Sequence, residues 1–228
     1  MATTTYLVTG ANRGLGLEFA RALSARGAGH EVIGTARRPA EATELAKVAK
    51  RVVELDVADP ESIAALRQRV GDTPIDVLIN NAGVSSKARS VTEVDAAELA
   101  HAFAVNASAA VLVVKALLPN LRAGKQKLIV NITSQLGSIA NNSGGSTYGY
   151  RASKAALNMF TVCLSNELKG EGFTVVAIHP GWVRTDMGGK NATLSVEESV
   201  GAILKTIGAL RDEDTGRFLN YDGTGLPW

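Results

Sequence analysis

The chain has 228 residues, 46% of them hydrophobic, with 24 basic and 22 acidic side chains and a net charge of +2. That length suits a single α/β domain spanning 1–228, with a core large enough to need no staple. The near-balanced charge, with no basic run longer than Arg37-Arg38, argues against nucleic-acid or membrane-surface binding and points to a small-molecule partner.

Met1-Ala2-Thr3 leads without a basic region into the first apolar run, Tyr6 to Thr9. No apolar run approaches the ~20 residues of a membrane span, so a cytoplasmic protein is expected. The run feeds directly into Thr9-Gly10-Ala11-Asn12-Arg13-Gly14-Leu15-Gly16 and then a helical pattern from Leu15 to Arg26. This reads as a strand, a glycine turn and a helix N-terminus. Gly10, Gly14 and Gly16 allow a sharp turn and a close backbone approach, and the first free N–H groups of the helix face an anion such as a pyrophosphate. The spacing is G-x-x-x-G-x-G, distinct from the G-x-G-x-x-G dinucleotide fingerprint.

Further strand-length runs follow at Glu31 to Thr35, Arg51 to Leu55, Ile75 to Asn80, Lys127 to Ile132, Thr174 to His179 and, more weakly, Arg217 to Asn220. Helical patterns alternate with them, at Pro60 to Val70, Asp95 to Arg122 and Tyr150 to Lys169. This alternation predicts a doubly wound Rossmann-type domain, a parallel sheet of about seven strands with helices on both faces. Ligands of such sheets bind at the carboxyl ends of the strands. Asn141 to Ser146 reads as a loop.

After the second strand stands Arg37, where an NAD-preferring site would carry an acid on the ribose. Arg37 can pair with a 2′-phosphate, and Arg13 can cover the same phosphate or the adenine face. The third strand ends in Asp56-Val57, whose carboxylate suits the adenine amino group. The fourth ends in Asn80-Asn81-Ala82-Gly83, whose amides can tie loops together and line the cleft. The fifth delivers Thr133-Ser134. Tyr150 and Lys154 then stand four apart on a helix and face the same way. A nearby ammonium lowers a phenol's pKa from about 10 toward the working range, and lysine's three donors suit ribose hydroxyls. Tyr148 is a rival, but four residues beyond it lies Ala152, which cannot tune it. The one cysteine, Cys163, forms no internal disulfide and suits a reducing compartment; a buried, inert thiol is expected. No metal site is expected.

Thr9-Gly10-x-x-x-Gly14-x-Gly16, Asn80-Asn81-Ala82-Gly83, Asn106, Ser134, Tyr150-x-x-x-Lys154 and Pro180-Gly181-x-Val183-x-Thr185 together resemble the short-chain dehydrogenase/reductase superfamily in order and approximate spacing. With Arg37, the run His179 to Met187 and the ending Tyr221-Asp222-Gly223, the chain looks like the small branch that includes the carbonyl reductase sniffer and the bacterial C-signal protein. The resemblance implies a tetrad: Tyr150 as proton donor, Ser134 polarising the carbonyl, Lys154 on the nicotinamide ribose and tuning the tyrosine, and Asn106 supporting a water that links lysine to solvent. It implies an NADP(H) site made by Gly10, Asn12, Arg13, Gly14, Leu15, Gly16, Arg37, Asp56, Val57, Asn81, Ala82, Gly83, Tyr150, Lys154, Pro180, Gly181, Val183 and Thr185. Ser134 and Tyr150 stand about three residues farther apart than is usual in that family, which leaves Ser138 as a rival serine.

The function expected is NADPH-dependent reduction of a ketone, aldehyde or quinone-like carbonyl. Its alternatives are alcohol oxidation by the same site and a non-catalytic NADP-binding regulatory protein. Trp182, Met187, Leu194 and Tyr148 can line an apolar pocket or serve as loop packing. Gly181, Gly188 and Gly189 bracket a segment expected to close over the substrate. Apolar residues on more than one helix face, including Val111, Val113, Val114, Leu117, Leu118, Met159, Phe160, Val162 and Leu164, predict a homodimer or homotetramer.

Overall fold

Short β-rich apolar runs separated by helical segments build a sheet in which every pairing is parallel. A computed structural model describes residues 3–228. Its strands are β1 (Thr4–Val8), β2 (His30–Ala36), β3 (Arg51–Glu54), β4 (Val77–Asn80), β5 (Leu128–Ile132), β6 (Thr174–His179) and β7 (Phe218–Asn220), in the order β3-β2-β1-β4-β5-β6-β7. The order reverses between β1 and β4, which opens a crevice at their carboxyl ends. The helices are α1 (Gly14–Ser24), α2 (Thr43–Ala46), α3 (Pro60–Ala64), α4 (Leu66–Val70), α5 (Ala96–Phe103), α6 (Ala109–Ala123), α7 (Tyr148–Leu168) and α8 (Val196–Ala209).

Burial on both faces explains why the strands read as continuous apolar runs. Tyr6, Val8, Ile79, Val130 and Val176 pack with Phe19 and Leu23 of α1 and Ile203 of α8. Leu7, Leu78, Ile129 and Val175 point to the opposite face and meet Val113, Leu117 and Leu121 of α6 and Leu164 of α7.

Each expected strand is present, with ends shifted by no more than two residues. The helices differ more. Pro60 to Val70 divides at Ala65, the C-cap of α3 and the N-cap of α4. Asp95 to Arg122 passes through a π-helical turn at Ala104–Ser108 between α5 and α6. α8 was not among the expected helices, although Ser195 and Glu198 form the reciprocal capping box at its start, a pattern visible as S-x-x-E.

Two expectations are corrected. Cys163 is exposed, because it sits on the outer face of α7. The continuous helical stretch Ala96–Ala123 is long and apolar enough, by length and composition, to cross a membrane. Half of its most apolar window is buried within this fold, where α6 covers the sheet.

Candidate active site

The turn after β1 is shaped by backbone geometry. Gly10 has φ +62°, a conformation that disfavours any side chain, and its N–H donates to Thr35 Oγ1 at 3.3 Å. Gly16 admits no Cβ: one would lie 2.3 Å from Gly10 O and 2.6 Å from Asn81 Nδ2. Among the described residues, the backbone N–H groups of Asn12, Arg13, Gly14, Leu15 and Gly16 have no protein partner. Free amides at a helix N-terminus, with no side chain crowding them, fit a phosphate.

The fourth strand's asparagines tie this turn in place. Asn81 Nδ2 donates to Thr9 O at 2.9 Å, while Asn81 N and Ala82 N donate to Thr9 Oγ1 at 2.9 and 3.0 Å. Asn80 Nδ2 donates to Asn131 Oδ1 at 2.9 Å, and Asn131 passes the chain on to Thr161 of α7. On the far side of the crevice Arg37 is exposed with no acidic partner among the described residues, whereas Arg38 is paired with Glu41. One Asp56 oxygen closes a turn by accepting from Ala58 N at 2.9 Å, and the other remains open. Val57 and Ala82 share the wall of a narrow cavity with Asn106.

Arg13 takes a different place from the one expected. Its guanidinium pairs with Asp186 at 2.6 Å, across the crevice, with both side chains largely exposed. Gly14 and the Thr185 methyl also approach there; a Cβ on Gly14 would be 3.8 Å from it.

Ser134 is buried at the end of β5 and caps a 3-10 turn, Gln135–Gly137, by accepting from Leu136 N at 3.1 Å. Tyr150 and Lys154 lie on the first turns of α7, with Lys154 Nζ 5.8 Å from the Tyr150 ring centroid. Nζ donates to Ile132 O at 2.8 Å. Burial pushes the Lys154 ammonium down to about 8. Tyr150 departs from the expectation of a lowered pKa: burial raises it, and hydrogen bonding with Ser134 only partly offsets this. The phenol therefore stays protonated at neutral pH.

Asn106 lies in the π-helical turn, which aims its amide back toward β4. It accepts from Val84 N at 2.8 Å and donates to Val84 O at 2.9 Å and to Ser153 Oγ at 3.0 Å. Gly83 brings Asn106 and Lys154 together, since a Cβ there would be 3.1 Å from Asn106 Oδ1 and 3.7 Å from Lys154 Nζ. Ser138 is occupied elsewhere. Its hydroxyl donates to Trp228 O and accepts from Asn141 N, which leaves Ser134 as the serine beside Tyr150. Tyr148, by contrast, is 41% exposed at the rim.

The segment after β6 is braced. Trp182 Nε1 donates to Gly188 O at 2.8 Å, Gly188 N donates to Thr185 Oγ1 at 3.1 Å, and across the loop Arg184 N donates to Leu194 O and Leu194 N to Trp182 O. Val183 is buried, and a Cβ on Gly181 would strike Leu194 at 2.4 Å. Leu194 thus serves loop packing, while Trp182 and Met187 remain half exposed. Pro180 O accepts from Ser199 Oγ at 2.6 Å, which fixes this segment to α8.

Sequence reasoning assigned no role to several supporting residues: Thr9, Thr35, Ser153, Asp186 and Trp228. Thr9 and Thr35 were legible as polar residues closing apolar strands at the crevice. The other three owe their roles to contacts distant in sequence or to a local bond, with no pattern to mark them. A cavity of about 460 Å³ lies at the other end of the sheet around Tyr6, His30 and Leu210 and includes none of the predicted site residues.

A family model described as short chain dehydrogenase matches residues 4–194. C-signal of Myxococcus xanthus is 48% identical over 155 residues, 68% of this chain and 93% of that protein. Among solved structures, the NADPH-bound carbonyl reductase from chicken fatty liver matches with a TM-score of 0.93 at 38% identity. The carbonyl reductase Sniffer of Drosophila melanogaster matches with a TM-score of 0.92 at 36% identity. Both structural matches cover 100% of each chain.

Proposed function

We propose that this chain, which belongs to the short-chain dehydrogenase family, is an NADP-dependent oxidoreductase that reduces a small-molecule carbonyl with a tyrosine as the acid. The observation that carries the reading is the meeting of Ser134, a protonated Tyr150 and Lys154 beside Gly83, at the mouth of a crevice whose opposite wall offers free amides and Arg37. The residues present fit NADP(H): the amides from Asn12 to Gly16 for the pyrophosphate, Arg37 for the 2′-phosphate, and Asp56, Val57, Asn81, Ala82 and Gly83 along the crevice. Pro180, Gly181, Val183 and Thr185 would hold the carboxamide end.

When bound, the nicotinamide supplies the hydride. Ser134 holds the carbonyl oxygen and Tyr150 gives that oxygen its proton as the alkoxide develops. Burial suits this role, because a phenol kept neutral is ready to donate. Lys154 is largely cationic at pH 7; one of its three donors is spent on Ile132 O, which leaves two for ribose hydroxyls. Asn106, fixed by Val84 and Ser153, keeps acceptor capacity on Oδ1 for a water near Lys154. Reversal of the same proton path oxidises an alcohol, so the cofactor ratio sets the direction.

NADPH oxidation measured across ketones, aldehydes and quinones tests this reading. At least one compound should be reduced, with NADPH bound at least about tenfold more tightly than NADH through a charge-assisted contact with Arg37, and Arg37→Asp should shrink or invert that preference. Tight NADPH binding without turnover on any carbonyl would favour a regulatory binder.

We further propose a homo-oligomer built on α5 and α7. Phe103 and Phe160 meet edge-on with centroids 6.2 Å apart, and Leu99 and Met159 stand exposed on the same helices. Of the apolar residues that suggested an interface, Val113, Val114, Leu117 and Leu164 are buried within the chain.

A further inference from the structure

The stretch after β5 has a second anchor, far from the strand. Ser138, 1% exposed, donates its hydroxyl to the main-chain oxygen of Trp228 at 3.2 Å, and Ala140 N donates to the same oxygen at 3.0 Å. Trp228 is itself held. Its indole stacks on Phe218 of β7, with centroids 5.2 Å and planes 24° apart, and Leu226 N donates to Phe218 O at 2.8 Å. Between the anchors the chain lies hard against α7. Asn158 Nδ2 donates to Gly137 O at 3.3 Å, and Gly137 packs so close to Lys154 that a Cβ would come within 2.8 Å of its backbone. Ser134–Ser138 is therefore an arch with one foot on β5 and the other on Trp228.

We propose that Ser138 and Trp228 are positioning residues for carbonyl reduction: together they hold the outer foot of this arch and so fix the direction in which Ser134 presents its hydroxyl beside Tyr150. Ser138 touches no reacting atom and acts through Ser134. The proposal rests on the reading of Ser134 as the group that holds the carbonyl oxygen. A hydroxyl at the head of a 3-10 turn moves when that turn tilts, and a misplacement of about 1 Å in a catalytic group can cost up to about 10²-fold in rate.

The test compares kcat, KM and NADPH affinity in the full-length wild type, Ser134→Ala, Ser138→Ala, Ser138→Thr, Trp228→Ala and the double variant Ser134→Ala/Ser138→Ala. Ser138→Ala and Trp228→Ala should each lower kcat and kcat/KM together by about tenfold, with NADPH affinity within about twofold of wild type. Ser138→Thr should recover most of the rate. Adding Ser138→Ala to Ser134→Ala should cost nothing more, because the residue it positions is already gone. Normal turnover in Ser138→Ala and Trp228→Ala alongside a slow Ser134→Ala overturns the proposal alone. So does a further tenfold loss in the double variant, or a loss of NADPH binding that tracks the loss of rate. Normal turnover in Ser134→Ala overturns the reading beneath it as well.

Discussion

At the scale of single residues, the surroundings of Tyr150 and Lys154 push the two groups apart from their ordinary behaviour in a useful way. Burial keeps the phenol neutral and brings the ammonium down to about 8. Between that value and the ordinary 10.5, the unfolded chain binds more protons than the folded one, so folding stability should rise with pH across this window. Activity should move the other way. The value of kcat/KM for NADPH should be level below pH 7 and fall as pH rises through about 8, when Lys154 loses the charge proposed to serve the ribose. Lys154→Arg, whose charge persists to higher pH, should remove that limb even where its rate is low; a limb unchanged in this variant would assign the titration to another group. The Tyr150–Lys154 spacing was legible because helix geometry alone places the two residues together. The direction of the tyrosine's shift was not, because desolvation depends on how the folded chain packs around the ring.

At the scale of elements, the segment between Gly181 and Gly189 is clamped internally by Trp182 and Gly188 and strapped to the glycine turn by Arg13 and Asp186. An ion pair this exposed is worth little in isolation, yet it spans the way out of the crevice. Asp186→Asn should speed NADH release by about two- to fivefold, the range of a surface ion pair. It should speed NADPH release less, because the freed Arg13 can turn to the 2′-phosphate. Stopped-flow release traces identical to wild type for both cofactors would show that the pair straps nothing. The strands and the turns that follow them were legible, since continuous apolar runs ending in Gly, Asn or Ser mark buried parallel strands and their ligand-facing ends. The π-helical turn at Asn106 was hidden, because a one-residue change in helical register leaves no mark in the apolar period. The Arg13–Asp186 pair was hidden too; it joins positions 13 and 186, which only the tertiary fold brings together.

At the scale of the molecule, one sheet with a single reversal point gathers residues from the first glycine turn to the segment after β6 around one crevice. The outward faces of α5 and α7 are left with Leu99, Phe103 and Met159 in solvent, and sedimentation at micromolar concentration should show an assembly larger than the 23.8 kDa chain. Phe103→Glu, which charges that face, should shift the protein toward monomer, whereas a monomeric wild type would leave the face without a partner copy. The claim on which the account turns is that Tyr150 delivers the proton. Tyr150→Phe keeps the ring and its packing but removes the proton, so carbonyl reduction should fall by about 10²- to 10⁴-fold while NADPH binding persists, and Tyr148→Phe should stay near wild type. Near-normal reduction by Tyr150→Phe, or loss of reduction in Tyr148→Phe alone, would contradict it.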